Sequence, residues 1–170
     1  RPAAACRSPR PVILGHLFST SDDLIIRTMF VDRVQVECSA GAGGDGCVSF
    51  RRERYVPRGG PDGGDGGNGG SVVILAEDGV DSLSALAHRK MWKATRGRHG
   101  SGSNRHGRNG QDLIMRVPPG TVVIDANQDF VIKDLAKAGD SLIAARGGKG
   151  GKGNAHFKSA TNQTPREASS

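Results

Sequence analysis

The sequence predicts a mainly β fold in which short strands are separated by long glycine-rich segments. Short apolar runs bounded by turn signals are typical of a small β-barrel or sandwich. Glycine makes up 26 of the 170 residues, about twice its usual share of ~7%. Hydrophobic residues other than glycine reach 35%, and no apolar run approaches the ~18 residues of a membrane-spanning helix. We therefore expect a soluble chain of one domain, or of one domain and a tail.

The predicted strands begin shortly after Met29. Val34, Val36 and Cys38 alternate with polar residues, as in a half-buried strand. Residues 118–120, Pro-Pro-Gly, are a turn signal between two later strands. The other predicted strands are residues 47–50, 71–77, 112–117, 121–125, 130–135 and 141–145.

One short helix is predicted between the strands. Asp81 or Ser82 can cap it, because short polar side chains accept hydrogen bonds from the first free N–H groups of a helix. Leu83 and Leu86 follow at a three-residue spacing, which places both on one face.

The glycine-rich segments have their own period. In residues 59–71 glycine occupies every third position from Gly60 to Gly69, and the spacing returns in residues 147–153. Three residues per turn is the period of a polyproline II helix, and glycine at each third place lets extended chains pack backbone to backbone. A flexible linker is the alternative. A linker needs neither strict spacing nor regularly intervening polar residues, so we favour ordered, packed left-handed helices. The intervening residues are Asp62, Asp65 and Asn68.

Charge is distributed unevenly along the chain. The net charge is 24 − 17 = +7. Residues 89–116 carry eight basic side chains and one acid, whereas residues 59–87 carry five acids and no Lys or Arg. Basic runs that flank glycine-rich loops favour a polyanionic partner. A solvated face that aids solubility is the alternative.

No catalytic or metal-binding motif is present in the sequence. The nearest candidate for a phosphate loop is Gly151-Lys152, but Arg146 stands where the first glycine is required and Gly153 where Ser or Thr is required. DxxG and NKxD are also absent, so we expect no nucleotide hydrolysis by these residues. No metal ligand and no catalytic residue is assigned. Cys6, Cys38 and Cys47 are odd in number and widely spaced, which favours a reducing compartment over a disulfide scaffold.

Three basic glycine-rich segments remain, residues 51–64, 96–110 and 146–158. Glycine lets backbone N–H groups approach phosphate, and arginine adds bidentate contacts. Aromatic residues are 4% of the chain, too few for a platform that stacks single-stranded bases. Tyr55 and Trp92 could stack on bases or lie in the core. The composition therefore favours structured RNA recognised by shape and backbone.

Four stretches of this sequence are distinctive: Phe-Val-Asp at residues 30–32, GDGCVSFRRERYVPRGGPDGGDGGNGGSV at 44–72, GSGSNRHGRNGQDLIMRVPPGTVV at 100–123 and GGKGGKGNAHFKSATNQTPRE at 147–167. In order and spacing they resemble the N-terminal domain of the Obg GTPases. The resemblance implies an Obg fold, a glycine-rich bundle of left-handed polyproline II helices on a small eight-stranded β-barrel. It also implies a ribosome-associated GTPase that acts in assembly of the large ribosomal subunit, whose rRNA the domain contacts through glycine-rich tip loops. The residues carried over as RNA-binding are Arg51, Arg52, Arg54, Arg58, Arg96, Arg98, Arg105, Arg108, Lys149, Lys152 and Lys158.

The resemblance also predicts the domain organisation. Residues 1–28 are expected to be a disordered lead or a mis-assigned start, and residues 29–168 the Obg domain. The GTPase domain is expected to be absent from this chain, so GTP and Mg²⁺ are expected only for that missing domain. The expected partners are the large ribosomal subunit, its rRNA and the missing GTPase domain, with a monomeric chain and no membrane. The expected location is the cytoplasm, with a mitochondrion or plastid as alternatives. The alternative function is a protein-interaction module without direct RNA contact.

Overall fold

The computed structural model describes residues 10–15, 31–55 and 59–170, and the described part is mainly β. Helical structure in this part is limited to a one-turn α-helix, α1, at Ser84–Ala87 and a short 3-10 helix at Asn154–Phe157. The strands are β1 Arg10–Gly15, β2 Arg33–Ser39, β3 Val72–Ala76, β4 Met91–Lys93, β5 Leu113–Val117, β6 Thr121–Asp125, β7 Phe130–Leu135 and β8 Ser141–Ala145.

The strands form two sheets. One has the order β4-β2-β1-β6-β7 and the other the order β5-β3-β8. β7 and β8 follow each other in sequence but lie in different sheets, because β8 pairs with β3. The mainly β class is thus confirmed. The eight described strands do not form one closed, continuously hydrogen-bonded barrel.

A small apolar core lies between the sheets and the helix. β2 buries Val34, Val36 and Cys38 and exposes the residues between them, which confirms the predicted alternation. Leu83 and Leu86 are buried against this core, as the predicted helix face requires. Burial raises the pKa of the Cys38 thiol to about 11, so this side chain behaves as a small apolar residue.

Most strand predictions are confirmed, and the turn at residues 118–120 separates β5 from β6. Gly120 adopts φ 83° there, a left-handed conformation that glycine adopts without steric cost. The helix begins at Ser84 and is preceded by Leu83, which makes no side-chain cap. The predicted cap Ser82 lies one residue earlier, and its hydroxyl accepts from the Ser84 N–H at 3.4 Å.

The predicted strand at residues 47–50 is wrong. Phe50 makes only an isolated bridge with Pro61. The Cys47 N–H donates to the Gly64 oxygen at 3.0 Å, and the Arg51 N–H donates to the Gly60 oxygen at 3.0 Å. Between these two bonds, the Asp62 N–H donates to the Ser49 oxygen at 3.0 Å. The segment thus pairs with the glycine-rich backbone of residues 60–64, and the bridge at Phe50 does not extend into a strand.

Two strands lie where the sequence predicts none. β4 has no apolar alternation and forms by parallel pairing with β2, where Met91 is opposite Glu37. β1 falls within residues 1–28, for which the sequence predicts a disordered lead or a mis-assigned start, and Arg10–Gly15 is a strand. β1 pairs antiparallel with both β2 and β6, and these distant strands supply the hydrogen bonds that local sequence cannot reveal. The other residues of 1–28 lie outside the described residues.

Five extended segments form what we call the glycine-rich bundle. Its central segment, residues 62–71, is hydrogen-bonded to every other segment of the bundle. The Gly41 N–H donates to the Gly70 oxygen at 2.9 Å, and the Gly44 N–H donates to the Gly67 oxygen at 2.8 Å. Hydrogen bonds thus recur at every third residue. The other four segments are residues 41–47, 95–101, 104–112 and 147–154.

The glycine spacing is explained by close approach of these backbones. A Cβ atom on Gly66 would overlap the carbonyl oxygen of Gly44, and a Cβ atom on Gly69 would overlap that of Gly41. A side chain at these positions would push neighbouring segments apart. The strict spacing is therefore a packing requirement.

The polar residues between the glycines hold the neighbouring segments in register. Side chains of the central segment accept hydrogen bonds from one neighbour: Asp65 from the Gly153 N–H at 2.7 Å and Asn68 from the Gly150 N–H at 2.8 Å. Their own N–H groups donate to side chains of another neighbour, to His106 Nδ1 at 3.2 Å and to Asn109 Oδ1 at 2.9 Å. Ordered packing, and not a flexible linker, explains why these residues recur.

Candidate nucleic-acid interface

The cations predicted to bind RNA are placed on the bundle and at its far end. Arg58 lies outside the described residues. Each of the other predicted cations has an exposed side chain, and these are Arg51, Arg52, Arg54, Arg96, Arg98, Arg105, Arg108, Lys149, Lys152 and Lys158.

The end of the bundle farthest from the sheets, which we call the tip, contains residues 51–55 and 59–60. Arg51 pairs with Glu53 there at 2.7 Å. Tyr55 is 85% exposed, and the Arg54 guanidinium lies 5.6 Å from its ring centroid. Tyr55 is therefore not a core residue. Lys158 belongs to the same end, because its Nζ lies 4.0 Å from the Cβ position of Gly60.

The predicted cations of residues 96–110 are spread along the bundle. Arg105 closes a turn with Ser101, and its Nε donates to the Gly102 oxygen at 3.1 Å. Arg98 and Arg108 lie one hydrogen-bonded step further back, where the Arg98 N–H donates to the Arg108 oxygen at 2.9 Å. Arg96 lies further still from this turn. The four arginines therefore lie at successive levels of the same two segments.

The predicted cations of residues 146–158 lie in two different places. Lys149 and Lys152 lie on the segment 147–154, and Lys158 lies beyond the 3-10 helix near the tip. The Lys152 N–H donates to Ser169 Oγ at 2.6 Å. Its backbone is thus held in place while its side chain is exposed.

Trp92, the other aromatic candidate for base stacking, is half-buried at the sheets and packs against the core. Its Nε1–H donates to the Arg89 oxygen at 2.8 Å, and the Arg89 guanidinium lies 5.2 Å from its ring centroid. Trp92 is therefore engaged in contacts within the protein, through its hydrogen bond to Arg89 and its packing against the core.

Two carboxylates of the bundle lie close to histidine side chains, and His99 Nδ1 accepts a hydrogen bond from the Asp45 N–H at 3.1 Å. Asp45 lies 3.0 Å from His99 Nδ1 and 3.5 Å from Arg96 Nη2. Asp65 Oδ2 lies 2.9 Å from His156 Nε2. Partial burial opposes ionisation of Asp65, but the Gly153 N–H bond and the nearby His156 outweigh it and lower the pKa of this carboxyl. His99 and His106 have the hydrogen-bonding roles that their polar surroundings predict.

The lowered pKa of Asp65 predicts a pH-dependent contribution to stability. A carboxyl whose folded-state pKa is lowered stabilises the fold above its unfolded pKa, and the contribution is lost as the pH falls through the folded value. We expect Asp65→Asn to lower the urea midpoint of unfolding at about pH 5. The difference in urea midpoint between the variant and the unmodified chain should become smaller below pH 3.8, the ordinary pKa of Asp. Urea titrations followed by circular dichroism, at about pH 5 and below pH 3.8, measure the two midpoints. A difference that stays constant with pH would contradict the role assigned to this charge.

The remaining site chemistry is limited. Over residues 10–15, 31–55 and 59–170, no three His, Cys, Asp or Glu side chains are grouped so that they could hold a metal ion. The same residues include no helix with the length and apolarity needed to cross a membrane. The arrangement offers exposed cations and polar side chains, which can bind an extended anion.

Comparison with known proteins adds a family relationship. The sequence profile of the GTP1/OBG family matches residues 31–170. The chain is 56% identical over 139 residues to the GTPase Obg of Syntrophobacter fumaroxidans, which is 82% of this chain and 40% of that protein. It is 52% identical over 136 residues to the GTPase Obg of Persephonella marina, which is 80% of this chain and 40% of that protein. The chain thus spans about two fifths of the length of these relatives. The resemblance found in the four sequence stretches is confirmed.

Proposed function

Because the chain belongs to the GTP1/OBG family, we propose that its glycine-rich bundle docks on the rRNA of the large ribosomal subunit. The docking would serve a GTPase of the Obg type that takes part in ribosome biogenesis. The observation that carries this proposal is the set of exposed cations on a bundle whose backbones are fixed by hydrogen bonds every third residue.

A fixed scaffold of this kind suits a structured polyanion. Arginine and lysine neutralise phosphates, and this term dominates affinity for nucleic acids. Because the backbones are already ordered, little conformational entropy is lost when the bundle binds. The side chains between the cations are small and polar, so the surface can follow a sugar–phosphate backbone but cannot stack on a series of bases.

We further propose that the bundle segments are left-handed polyproline II helices. Their hydrogen bonds recur with the three-residue period of that helix. Gly153, in the segment 147–154, has φ −73° and ψ 164°, near the polyproline II values of about −75° and +145°. The two sheets would then be the counterpart of the barrel expected from the family resemblance.

Nucleotide hydrolysis is proposed for other parts of such a protein. The relatives are named as GTPases, and this chain spans about two fifths of their length. The 170 residues contain no phosphate-loop motif, so we assign no ligand of GTP or Mg²⁺ to them. We propose that the protein acts as a monomer. The proposed location is the bacterial cytoplasm, with a mitochondrion or a plastid as alternatives.

Cosedimentation with purified large and small ribosomal subunits tests the proposed docking. We expect binding to the large subunit alone, falling steeply as KCl rises from about 50 to 200 mM, because each phosphate contact releases counterions. Arg52→Glu and Lys152→Glu should weaken the binding, and Lys137→Glu, an equal charge change in the turn before β8, should not. Equal binding to both subunits, or none at low salt, would refute the proposal.

A protein-interaction module is the second candidate, and one feature favours it. Ile114 and Ile143 are exposed on the outer face of the three-stranded sheet, and both lie directly opposite Val73 of the middle strand. This apolar row is a feature of protein-docking surfaces. Salt-insensitive binding to the large subunit, abolished by Ile114→Lys but not by Arg52→Glu, would support this candidate over RNA docking.

A further inference from the structure

The middle strand of the five-stranded sheet comes from outside the part of the chain that matches the GTP1/OBG family. β1 lies between β2 and β6 and is antiparallel to both. The family profile matches residues 31–170, which include β2, β6 and every other described strand but not Arg10–Gly15. The family-matched residues by themselves therefore leave a gap of one strand in this sheet, which we call the slot.

The two walls of the slot, β2 and β6, are also held by contacts that do not involve β1. The Cys38 Sγ atom of β2 lies 3.8 Å from the Met115 Sδ atom of β5. The turn at residues 118–120 connects β5 to β6, and the Thr121 hydroxyl donates to the Pro118 oxygen at 2.6 Å. Because adjacent strands lie about 4.8 Å apart, the walls are separated by about 10 Å and cannot bond to each other. An inserted strand is needed to join them.

The walls specify the direction and length of the strand that fills the slot. β1 pairs with the six residues 33–38 of β2 and with the four residues 122–125 of β6. Since β1 is antiparallel to both walls, one strand of this direction bonds to the N–H and C=O groups of both. Val34, Val36 and Val123 of the walls are buried, so an empty slot would leave backbone groups without partners beside the core. The slot therefore fits an extended, apolar segment of about six residues.

β1 has features that are unusual for the middle strand of a sheet. Pro11 has no N–H to donate, and proline is ordinarily confined to edge strands, first residues or bulges. Among the described residues, the pairing of β1 with β6 covers Val12 to Gly15. Residues 16–32 connect β1 to β2, whereas hairpin connections usually have about 2–5 residues. A tight hairpin would fix β1 beside β2, and a connection of this length does not.

We propose that the slot is a binding site for an extended, apolar strand from the rest of an Obg-type GTPase, and that β1 competes with this strand. The matched stretch is 40% of each of two relatives, so most of each relative lies outside the match and can supply the strand. Main-chain hydrogen bonds to both walls would give affinity, and the side-chain register would give specificity. Occupation by that strand would join the sheets to the rest of the protein. The inference rests on family membership and is independent of RNA docking.

A peptide-binding assay tests whether the slot accepts a strand. The probe is a fluorescent peptide with the sequence of residues 8–17, read by anisotropy, and the receptor is the 170-residue chain with Val12→Pro/Leu14→Pro. We expect the probe to bind this variant at least about tenfold more tightly than the unmodified chain, whose tethered β1 competes at an effective concentration on the order of mM. A peptide that carries the same two prolines is the matched control and should not bind. Equal binding to the variant and the unmodified chain would overturn the slot as the binding site.

A competition experiment tests the source of the strand. Short unlabelled peptides that overlap along the unmatched part of the GTPase Obg of Syntrophobacter fumaroxidans are added to the variant and the probe. We expect the peptides of one stretch to displace the probe. Displacement by none of them would overturn the proposed occupant. If the unmodified chain also dimerises by light scattering, the slot exchanges β1 between copies instead.

A second form of the chain keeps the proposal testable if the proline variant does not fold. A site for a sequence-specific protease is inserted between Ser21 and Asp22, so that β1 remains in place until its connection to β2 is cut. After cleavage we expect the probe to replace β1, while circular dichroism shows that the sheets stay folded. Retention of β1 against excess probe on the folded, cleaved chain would contradict the exchange.

Discussion

Alanine in place of Gly66 is expected to destabilise the chain by about 3 kcal/mol or more. The added methyl group would overlap the carbonyl oxygen of Gly44, which belongs to hydrogen-bonded backbone and cannot rotate away. The Gly66 N–H donates to the Gly151 oxygen at 2.8 Å. A shift of the backbone that relieves the overlap would therefore disturb two neighbouring segments. Urea unfolding followed by circular dichroism measures the loss.

Gly60→Ala is the matched control for this prediction. The nearest atom to a Cβ on Gly60 is the flexible Lys158 Nζ at 4.0 Å. Alanine also restricts the unfolded chain, which can stabilise a protein by about 0.4–1 kcal/mol where the backbone tolerates it. We expect no loss of stability there. Equal effects at the two positions would show that backbone packing is not the reason for the glycine period.

Asn154→Ala is expected to cost about 3 kcal/mol. Asn154 is fully buried, and its side chain joins three separate parts of the chain. Oδ1 accepts from the Gly63 N–H at 2.8 Å, and Nδ2 donates to the Ser49 oxygen at 2.9 Å and the Pro165 oxygen at 3.2 Å. Alanine would leave these backbone groups without partners, and each buried unsatisfied group costs about 1–3 kcal/mol.

Asn127→Ala is the control for Asn154. Asn127 lies in the exposed turn between β6 and β7, where substitutions ordinarily change stability by about 0.5 kcal/mol or less. Asn154→Asp is a useful second variant, because it keeps the shape and Oδ1 but replaces the donor group beside two carbonyl oxygens. A loss below about 1 kcal/mol for Asn154→Ala would contradict its role as a junction.

The strands with strong local patterns could be predicted from the sequence. The alternation of Val34, Val36 and Cys38 predicted β2, and the turn at residues 118–120 divided β5 from β6. β4 could not be predicted, because Met91–Lys93 becomes a strand only through its parallel pairing with β2. The segment 47–50 has a local strand pattern, but its hydrogen-bond partners are glycine-rich backbones. Long-range pairing therefore overrode local preference at both places.

The sequence predicted which residue types form the candidate interface, but it did not predict how they are arranged. The basic runs and the glycine period are visible in the sequence, and every described cation among the predicted set is exposed. Their division between the tip and the rest of the bundle depends on where segment 95–101 turns back on 104–112. The pairing of Arg96 with Asp45, 51 residues apart, depends on the packing of separate segments. No local pattern marks which arginine has a carboxylate neighbour.

The sequence by itself determined the mainly β class, the ordered glycine-rich segments, the basic surface and the relationship to the GTP1/OBG family. These follow from period, composition and motif, which are properties of neighbouring residues along the chain. The tertiary structure alone decided the register of the bundle, the junction at Asn154 and the opposition of Arg98 to Arg108. Each of these depends on close contact between backbones far apart in sequence. That contact is possible only where glycines leave room for it.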